Sequence, residues 1–332
     1  MLTPMAEPLV SVLLPVRDEA PYLAEALASL SAQTLENFEV LVVDDGSRDA
    51  SAEIAEAHAR DDSRFRVLRQ PRSGLVPALE RARGEARGRI LARMDGDDVA
   101  LPRRLEVQLD ALESEGLVAC GGAISYFPEV TVRDGARRYE RWLNGLTTVE
   151  AAARDVFVEC PIPHPTLMAR REVVEYRRCD WPEDYDLVLR VWATGARFRN
   201  VDEMVLRWRD HAGRLSRTEP PYAPEAFVRC KVAHLRATLV RGFEHLVVWG
   251  AGPVGKAFAR ELGRDVVGFV DVDPRKIGKS IYGAPVVGLD EAPRFASAFA
   301  IGAVAGEQAR AEIRATVAEQ GRRDGVDFVA VA

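Results

Sequence analysis

Apolar and polar positions alternate in two ways along the first hundred residues. Short, almost wholly apolar runs, LVSVLLP, FEVLVVDD, FRVLRQ and RILARMD, are separated by AEALASLSAQ, SAEIAEAHA and LVPALERARGEA, whose apolar residues recur at helical spacing. A continuous apolar run suits a strand buried on both faces, and a helix between successive strands suits a parallel crossover. The pattern predicts βαβ units and a mostly parallel sheet with helices on both faces. LPRRLEVQLDALES adds a helix, and LVACGGAISYF adds a strand or a pair of strands. Regularity then falls away until helical spacing returns at HPTLMARREVV and PEDYDLVLRVWATG.

Residues 212–224, AGRLSRTEPPYAP, hold three prolines and read as a loop or linker, with a helix following over about 225–241. From His245 a second α/β pattern begins: HLVVWGAGPVGKAFARELGRDVVGFVDVD is strand, glycine turn, helix, strand. The expected division is a domain over 1–242, with 212–242 as its linker and helix, and a second over 243–332. A chain of 332 residues suits two domains, because single cores stop growing before that size.

Composition narrows the class. With 47% hydrophobic and 29% charged residues the chain reads as soluble and globular, and a net charge of −6 argues against a general nucleic-acid binder. The arginines between Arg81 and Arg89 read as solvated helix surface. Cys120, Cys160, Cys179 and Cys230 are widely spaced, so neither a zinc site nor a disulfide framework is indicated, and a reducing cytoplasm is the expected location. MLTPMAEP lacks the basic and apolar segments of a signal peptide, and no apolar run approaches the ~18 residues of a membrane span. Peripheral contact with a membrane surface remains compatible with this composition.

Strands in the first region repeatedly finish in acids. FEVLVVDDGS delivers Asp44 and Asp45, and RILARMDGDD delivers Asp95, Asp97 and Asp98. Ligands of open parallel sheets bind outside the carboxyl ends of strands, and a hard cation such as Mg²⁺ or Mn²⁺ seeks oxygen ligands. Carboxylates one residue apart at a strand exit suit such an ion or a neighbouring ribose. An Asp-Gly turn with no ligand explains an isolated DGDD equally simply.

VSVLLPVRDEAPYLAEALASLSAQTLENFEVLVVDDGSRDAS, followed by ARMDGDDVALPRRLEVQ, resembles the inverting family-2 glycosyltransferases, whose fold is called GT-A. The resemblance spans about Leu9 to Ser216. It implies a nucleotide pocket lined by Pro15, Val16, Arg17, Glu19 and Asp44, with Asp45 beside it. It makes Asp95 and Asp97 the DxD pair, Asp97 binding metal and Asp95 shared between metal and ribose, while Asp98 serves the turn. In WPEDYDLVLRVW, acids opening a helix are also ordinary capping residues; the resemblance instead makes Asp184 the general base and Glu183 its orienting neighbour or an acceptor contact. His211, in an Arg-x-His-x-x-x-x-Ser stretch with Arg209 and Ser216, matches a histidine that completes the metal shell in some relatives. His164 resembles a residue beside the acceptor pocket, with simple packing as the alternative. Where relatives carry Asn in the helix before the DxD strand, this chain has Glu80, which either alters the donor pocket or faces solvent.

The implied activity is metal-dependent, inverting transfer from a nucleoside-diphosphate sugar, a UDP-sugar above others, to a glycan or glycoconjugate hydroxyl, with Mn²⁺ or Mg²⁺ as cofactor. A sugar-phosphate nucleotidylyltransferase should open with a glycine-rich phosphate loop, where this chain has PVRDEAPY. A non-catalytic sugar-nucleotide sensor is disfavoured by intact Asp95, Asp97 and Asp184. The sequence is silent on oligomeric state.

In the second region, Gly250, Gly252 and Gly255 spell GxGxxG between a strand and a helix, and Asp271 ends the next strand, where an acid can bind a ribose hydroxyl. The same letters nearly spell a phosphate-binding P-loop, but they fit it poorly because Ala257 replaces the Ser or Thr that would hold Mg²⁺. The region resembles the small Rossmann-like domains of some sugar-modifying acyltransferases, on the text VDVDPRKIGKSIYGAPV. Nucleotide binding and a structural or oligomerising role both fit it. Only 61 residues follow Asp271, too few for a dehydrogenase's substrate domain.

Overall fold

The computed structural model describes residues 7–332, the side chain of Ser216 excepted. In chain order the strands of the first sheet are β1 (Val10–Val16), β2 (Phe38–Asp44), β3 (Phe65–Arg69), β4 (Ile90–Arg93), β5 (Val99–Ala100), β6 (Ala119–Phe127), β7 (Met168–Arg170) and β8 (Phe198–Arg209). Their spatial order is β3-β2-β1-β4-β7-β6-β8-β5. Every residue of β1 and β2 is buried, as expected for strands covered on both faces. The covering helices between them are α1 (Ala20–Ser31), α2 (Ser51–Asp61), α3 (Leu75–Glu85) and α4 (Arg104–Ser114).

The β3-β2-β1-β4 half is parallel, in register from Val10↔Phe38 to Val16↔Asp44 across β1 and β2. Beyond β4 the sheet changes character. β7 runs antiparallel to both β4 and β6, and β5 runs antiparallel to β8. The segment HPTLMARREVV, expected to be helical, instead holds the three-residue strand β7 between two short 3₁₀ turns. Three strand residues are too few to show a period of two, and spacing alone misleads there. A charged helix, α5 (Asp134–Asn144), follows β6 where no regular spacing was legible; it keeps only Leu143 fully inside. The arginine-rich stretch after residue 81 is helical only to Glu85, and Arg171 clamps the chain beyond it by donating to the carbonyls of Ala86 and Arg83. A short helix, α6 (Val149–Arg154), completes this region.

The chain divides into two compact units. One holds residues up to 153, 161–178 and 194–214; the other holds 154–160, 179–193 and 215–332. The second unit therefore contains α7 (Glu183–Ala193), a short turn of helix α8 (Leu215–Thr218) within the expected linker, and α9 (Pro224–Ala237). Its sheet comprises β9 (Leu246–Trp249), β10 (Val266–Val270), β11 (Ser280–Ile281), β12 (Ala284–Val287), β13 (Phe299–Gly302) and β14 (Phe328–Ala330), with helices α10 (Pro253–Leu262) and α11 (Glu307–Glu319). The spatial order β11-β12-β10-β9-β13-β14 is parallel except for β11. It builds outward in both directions from β9, the Rossmann-like arrangement with its switch point between β9 and β13.

Candidate functional site

Two loops of the first unit are locked together at the carboxyl ends of β1 and β2. The Glu19 N–H donates to Ser51 Oγ (2.8 Å), the Ala20 N–H to Asp49 Oδ2 (3.0 Å), and the Arg48 N–H to Asp18 Oδ1 (2.7 Å). Asp18 has φ of +54°, a conformation that Asp tolerates better than most residues. These bonds hold the stretch from Pro15 and Val16, buried, through Arg17 to Glu19 in one shape. The SRDAS segment after Asp45 thus serves the PVRDE segment, a relation that only the fold exposes.

Asp44 ends β2 almost fully buried, its Oδ1 accepting the Ser47 N–H at 3.3 Å. Asp45 is committed elsewhere. Its carboxylate accepts from Gln70 Nε2 (2.7 Å) and from the N–H groups of Ser73 (2.7 Å) and Gly74 (2.8 Å), fixing the loop that enters α3. Glu80 accepts the Tyr176 N–H at 2.7 Å and pairs with Arg83 at 2.7 Å, a local brace.

Past β4, Asp95, Asp97 and Asp98 bring one oxygen each within 4.8 Å of the others. Gly96 lies between the first two for a steric reason: a Cβ there would sit 2.0 Å from Glu19 Oε2, so the turn packs directly on that carboxylate. Four acids therefore crowd together. Burial, then the charges of Asp97, Asp95 and Asp98, push the Glu19 carboxyl well above its ordinary range, with Arg93 pulling the other way. Burial raises Asp95 as well, against the opposing pull of Arg93. Burial and both neighbouring aspartates push Asp98 well up.

Asp98 does more than serve the turn. It is fully buried, and its Oδ1 accepts the Arg209 N–H at 2.8 Å, tying the turn to β8. Its Oδ2 and Glu19 Oε2 are buried with no hydrogen-bond partner. Orphaned oxygens in a cluster of acids match what a hard divalent cation requires. His211 Nε2 lies 2.7 Å from Asp97 Oδ2, so an imidazole nitrogen and a carboxylate oxygen already face one another. The His211 ring packs on Tyr22, with centroids 5.2 Å apart. This oxygen-rich set with one imidazole fits Mn²⁺ or Mg²⁺.

Two arginines of this site, Arg93 and Arg214, escape sequence reasoning, and a third, Arg209, has a role there that only the fold exposes. Arg93 pairs with both oxygens of Asp95; the available signal was an arginine inside an apolar strand. Arg209 donates from Nε to the Asp97 carbonyl at 2.6 Å, and its guanidinium stacks over Tyr22 and Phe127. Arg214 lies 4.5 Å from the Trp208 ring and attracts Asp98 and Asp95 electrostatically. The family-like stretch marks Arg209 and His211 but not Arg214, three residues on from the histidine.

His164 is buried, its Nε2 2.9 Å from the Tyr176 hydroxyl, and burial followed by Arg93 holds the imidazole well below its ordinary value. A cavity of about 630 Å³ lies against Arg83, Arg171 and Glu175; none of the sequence-selected residues lines it.

The second unit carries the other candidates. Glu183 opens α7 buried, and its Oε2 accepts the Tyr222 hydroxyl at 2.7 Å. Asp184 is half-buried, with Oδ1 accepting the Tyr185 N–H. Asp186, not singled out in sequence, accepts from Trp181 Nε1 (3.2 Å) and Arg190 Nε (2.8 Å) and lies 3.0 Å from His234 Nε2. Burial opposes its ionisation, but bonds from His234, Arg190 and Trp181 win and hold it at about 2.

In the glycine turn after β9, two of the three glycines have local reasons. Gly250 has φ of +108°, and a Cβ on Gly255 would lie 1.8 Å from the Gly250 carbonyl oxygen. Around Gly252 nothing lies within 4 Å of an added Cβ. Asp271 accepts the N–H groups of Ala251 (2.7 Å) and Asp273 (2.8 Å) and pairs with Lys276 at 3.0 Å, so it holds the glycine loop itself.

Residues 11–177, just over half of the chain, match the family model described as Glycosyl transferase family 2. The putative glycosyltransferase EpsH of Bacillus subtilis is 38% identical over 123 residues, 37% of this chain and 36% of its own. EpsE of the same organism, also a putative glycosyltransferase, is 31% identical over 226 residues, 65% of this chain and 78% of its own. The chain thus spans about a third of EpsH but most of EpsE. Among solved structures, Staphylococcus aureus TarS 1–349 with UDP-GlcNAc matches with a TM-score of 0.56 at 16% identity, over 77% of this chain and 72% of that one. The mannosyltransferase PcManGT of Pyrobaculum calidifontis, with GDP-Man and Mn²⁺, matches with a TM-score of 0.53 at 16% identity, over 97% of this chain and 83% of that one. At such identity the likeness is one of fold, here GT-A. Among the described residues no helix is long and apolar enough to cross a membrane. A family model that matches just over half of the chain, together with a relative at 31% identity matched over 78% of its own length, shows that this chain belongs to glycosyl transferase family 2.

Proposed function

We propose that this glycosyltransferase is metal-dependent and inverting, and moves a sugar from a nucleoside-diphosphate sugar, a UDP-sugar above others, to a hydroxyl of a glycan or glycoconjugate. The observation that carries this reading is the crowding of Asp95, Asp97 and Asp98 against Glu19, with His211 Nε2 on Asp97. So many carboxylates, answered only in part by Arg93 and Arg214, are costly unless a ligand completes the site. Asp97, Asp95 and His211 would hold Mn²⁺ or Mg²⁺, whose charge, when bound, would stabilise the departing diphosphate. The nucleotide-sugar ligands of TarS and PcManGT support the donor class, and Mn²⁺ in PcManGT supports the cofactor.

Asp184 is the proposed general base. It takes the proton of the acceptor hydroxyl as that oxygen attacks the anomeric carbon, while the bond to the nucleoside diphosphate breaks and its electron pair leaves with the diphosphate. A single displacement inverts the anomeric centre and needs no enzyme nucleophile. Glu183, fixed by Tyr222, orients the start of the helix.

The test is nucleoside diphosphate release from UDP-GlcNAc, UDP-glucose, UDP-galactose and GDP-mannose, with Mn²⁺ or Mg²⁺ and a panel of glycan acceptors. One donor should turn over only with metal. Asp184→Asn should keep donor affinity and lose about 10² to 10⁴ in rate. Turnover unchanged by chelation would reject the metal role.

A further inference from the structure

The helix α9 reads in sequence as the end of a linker, yet its polar residues are committed on two sides, and one of them, Lys231, is buried. On one side it grips α7. The Tyr222 hydroxyl, in the turn before α9, donates to Glu183 Oε2 at 2.7 Å. Arg229 donates to the Asp180 carbonyl at 2.9 Å, Phe227 packs on Tyr185 with ring centroids 6.0 Å apart, and His234 Nε2 lies 3.0 Å from Asp186 Oδ1. These contacts bracket Asp184, at the residue before it and the two after it.

On the other side α9 is fastened to the Rossmann-like module. Lys231, 6% exposed, donates from Nζ to the carbonyls of Val331 (3.1 Å), just past β14, and of Val158 (2.7 Å), in the segment 154–160. The same segment supplies the Val156 carbonyl to the hydroxyl of fully buried Tyr185 at 2.7 Å. Arg236 donates to the Leu262 carbonyl at the end of α10 (2.7 Å) and pairs with Asp265 (3.0 Å). A spacer would need none of this: an apolar residue in place of buried Lys231 would avoid desolvating an ammonium. Directional bonds add a fixed rotation and translation of one helix on its neighbours.

We propose that the Rossmann-like module acts in catalysis as a positioning element for the Asp184 helix, with α9 as the strut and Tyr222 and His234 as positioning residues. The inference rests on Asp184 being the base. Its physical ground is the narrow tolerance of proton transfer: a base must lie within hydrogen-bond reach of its proton, and a displacement of 1 Å can cost about 100-fold.

The test uses the full chain with the donor that turns over in the panel above and Mn²⁺, comparing Tyr222→Phe, His234→Ala and His234→Gln with Asp184→Asn. Tyr222→Phe and His234→Ala should each lower kcat by about tenfold, within that geometric penalty, and leave the donor KM within about twofold. His234→Gln, which keeps a side-chain N–H, should recover part of the loss. A general loss of structure would instead move KM and the melting transition together. Tyr222→Phe removes one oxygen from a partly exposed residue, so it remains informative if His234→Ala melts below the assay temperature. Wild-type kcat in Tyr222→Phe, with Asp184→Asn inactive, would overturn the positioning role. Full activity in Asp184→Asn would overturn the assignment of the base and this inference with it.

Discussion

The two ends of the first sheet treat buried acid in opposite ways. At the amino ends, Glu39 on β2 is 1% exposed, and every bond it makes answers its charge. Its Oε1 accepts the Ser11 hydroxyl at 2.8 Å and the Arg87 N–H at 2.7 Å, while its Oε2 lies 3.1 Å from Arg66 and 2.8 Å from Arg87. Gly88 lets the chain pass close beside this network, since a Cβ there would lie 2.8 Å from the Ser11 nitrogen. Burial alone would raise Glu39, but bonds from Arg87, Ser11 and Arg66 hold it below its ordinary value. At the carboxyl ends, Glu19, Asp95 and Asp98 are all raised, and two buried oxygens go unpaired. One end uses charge to close the structure. The other keeps charge under-compensated, the condition under which a cationic ligand gains most.

The largest expected difference between the two ends is in activity. Asp97→Ala should abolish Mn²⁺-dependent donor binding and cut transfer at least about 100-fold, in line with the several kcal/mol that a metal contributes to transition-state charge; Glu39→Gln should leave both unchanged. Isothermal calorimetry with UDP and Mn²⁺, beside steady-state rates, checks both. Metal should also stabilise the fold. At one hundred times its Kd, Mn²⁺ should add about 2.7 kcal/mol, read as an upward shift in melting that Asp97→Ala removes and Glu39→Gln retains.

A stability effect of similar size is expected at the amino ends. Glu39→Ala strands the Ser11 hydroxyl and the Arg87 N–H and should destabilise by roughly 2 kcal/mol in urea titration, with donor KM unchanged. A loss of donor affinity in this variant would break the contrast. The smallest effect is on pH. Glu39 and Asp186 are lowered, so their stabilisation is complete above their ordinary carboxylate values and is lost as pH falls through the lowered ones. For Asp186, held at about 2, that loss falls between about pH 4 and 2. Urea midpoints at pH 5 and 3 should separate more in the wild type than in Asp186→Asn.

The legible parts of the fold were those where local pattern and burial coincide. β1 and β2 are continuous apolar runs because both faces are covered, and GxGxxG lies where strand meets helix. β7 was misread because its three residues draw their identity from pairing with β4 and β6, which no local spacing encodes. Within the candidate site, the acids stand out as a chemical exception at strand exits. Their partners do not: Arg93 and Arg214 look like ordinary arginines until the chain brings them round, and Arg209 is marked only by the family-like stretch it shares with His211. Asp45 and Asp98, adjacent to site acids in sequence, turn out to hold a loop and a strand.

The sequence by itself determined the buried parallel strands and the helices between them in both α/β regions, the acids at the strand ends and the glycine turn, because burial period and turn chemistry are local. Only the tertiary structure decided which acids are answered by arginine and which are left crowded, and that α9 fastens the helix of Asp184 to the second sheet. Those outcomes depend on groups far apart in the chain meeting within 3 Å, and desolvation and pairing at that distance, rather than residue type, set what a carboxylate can do.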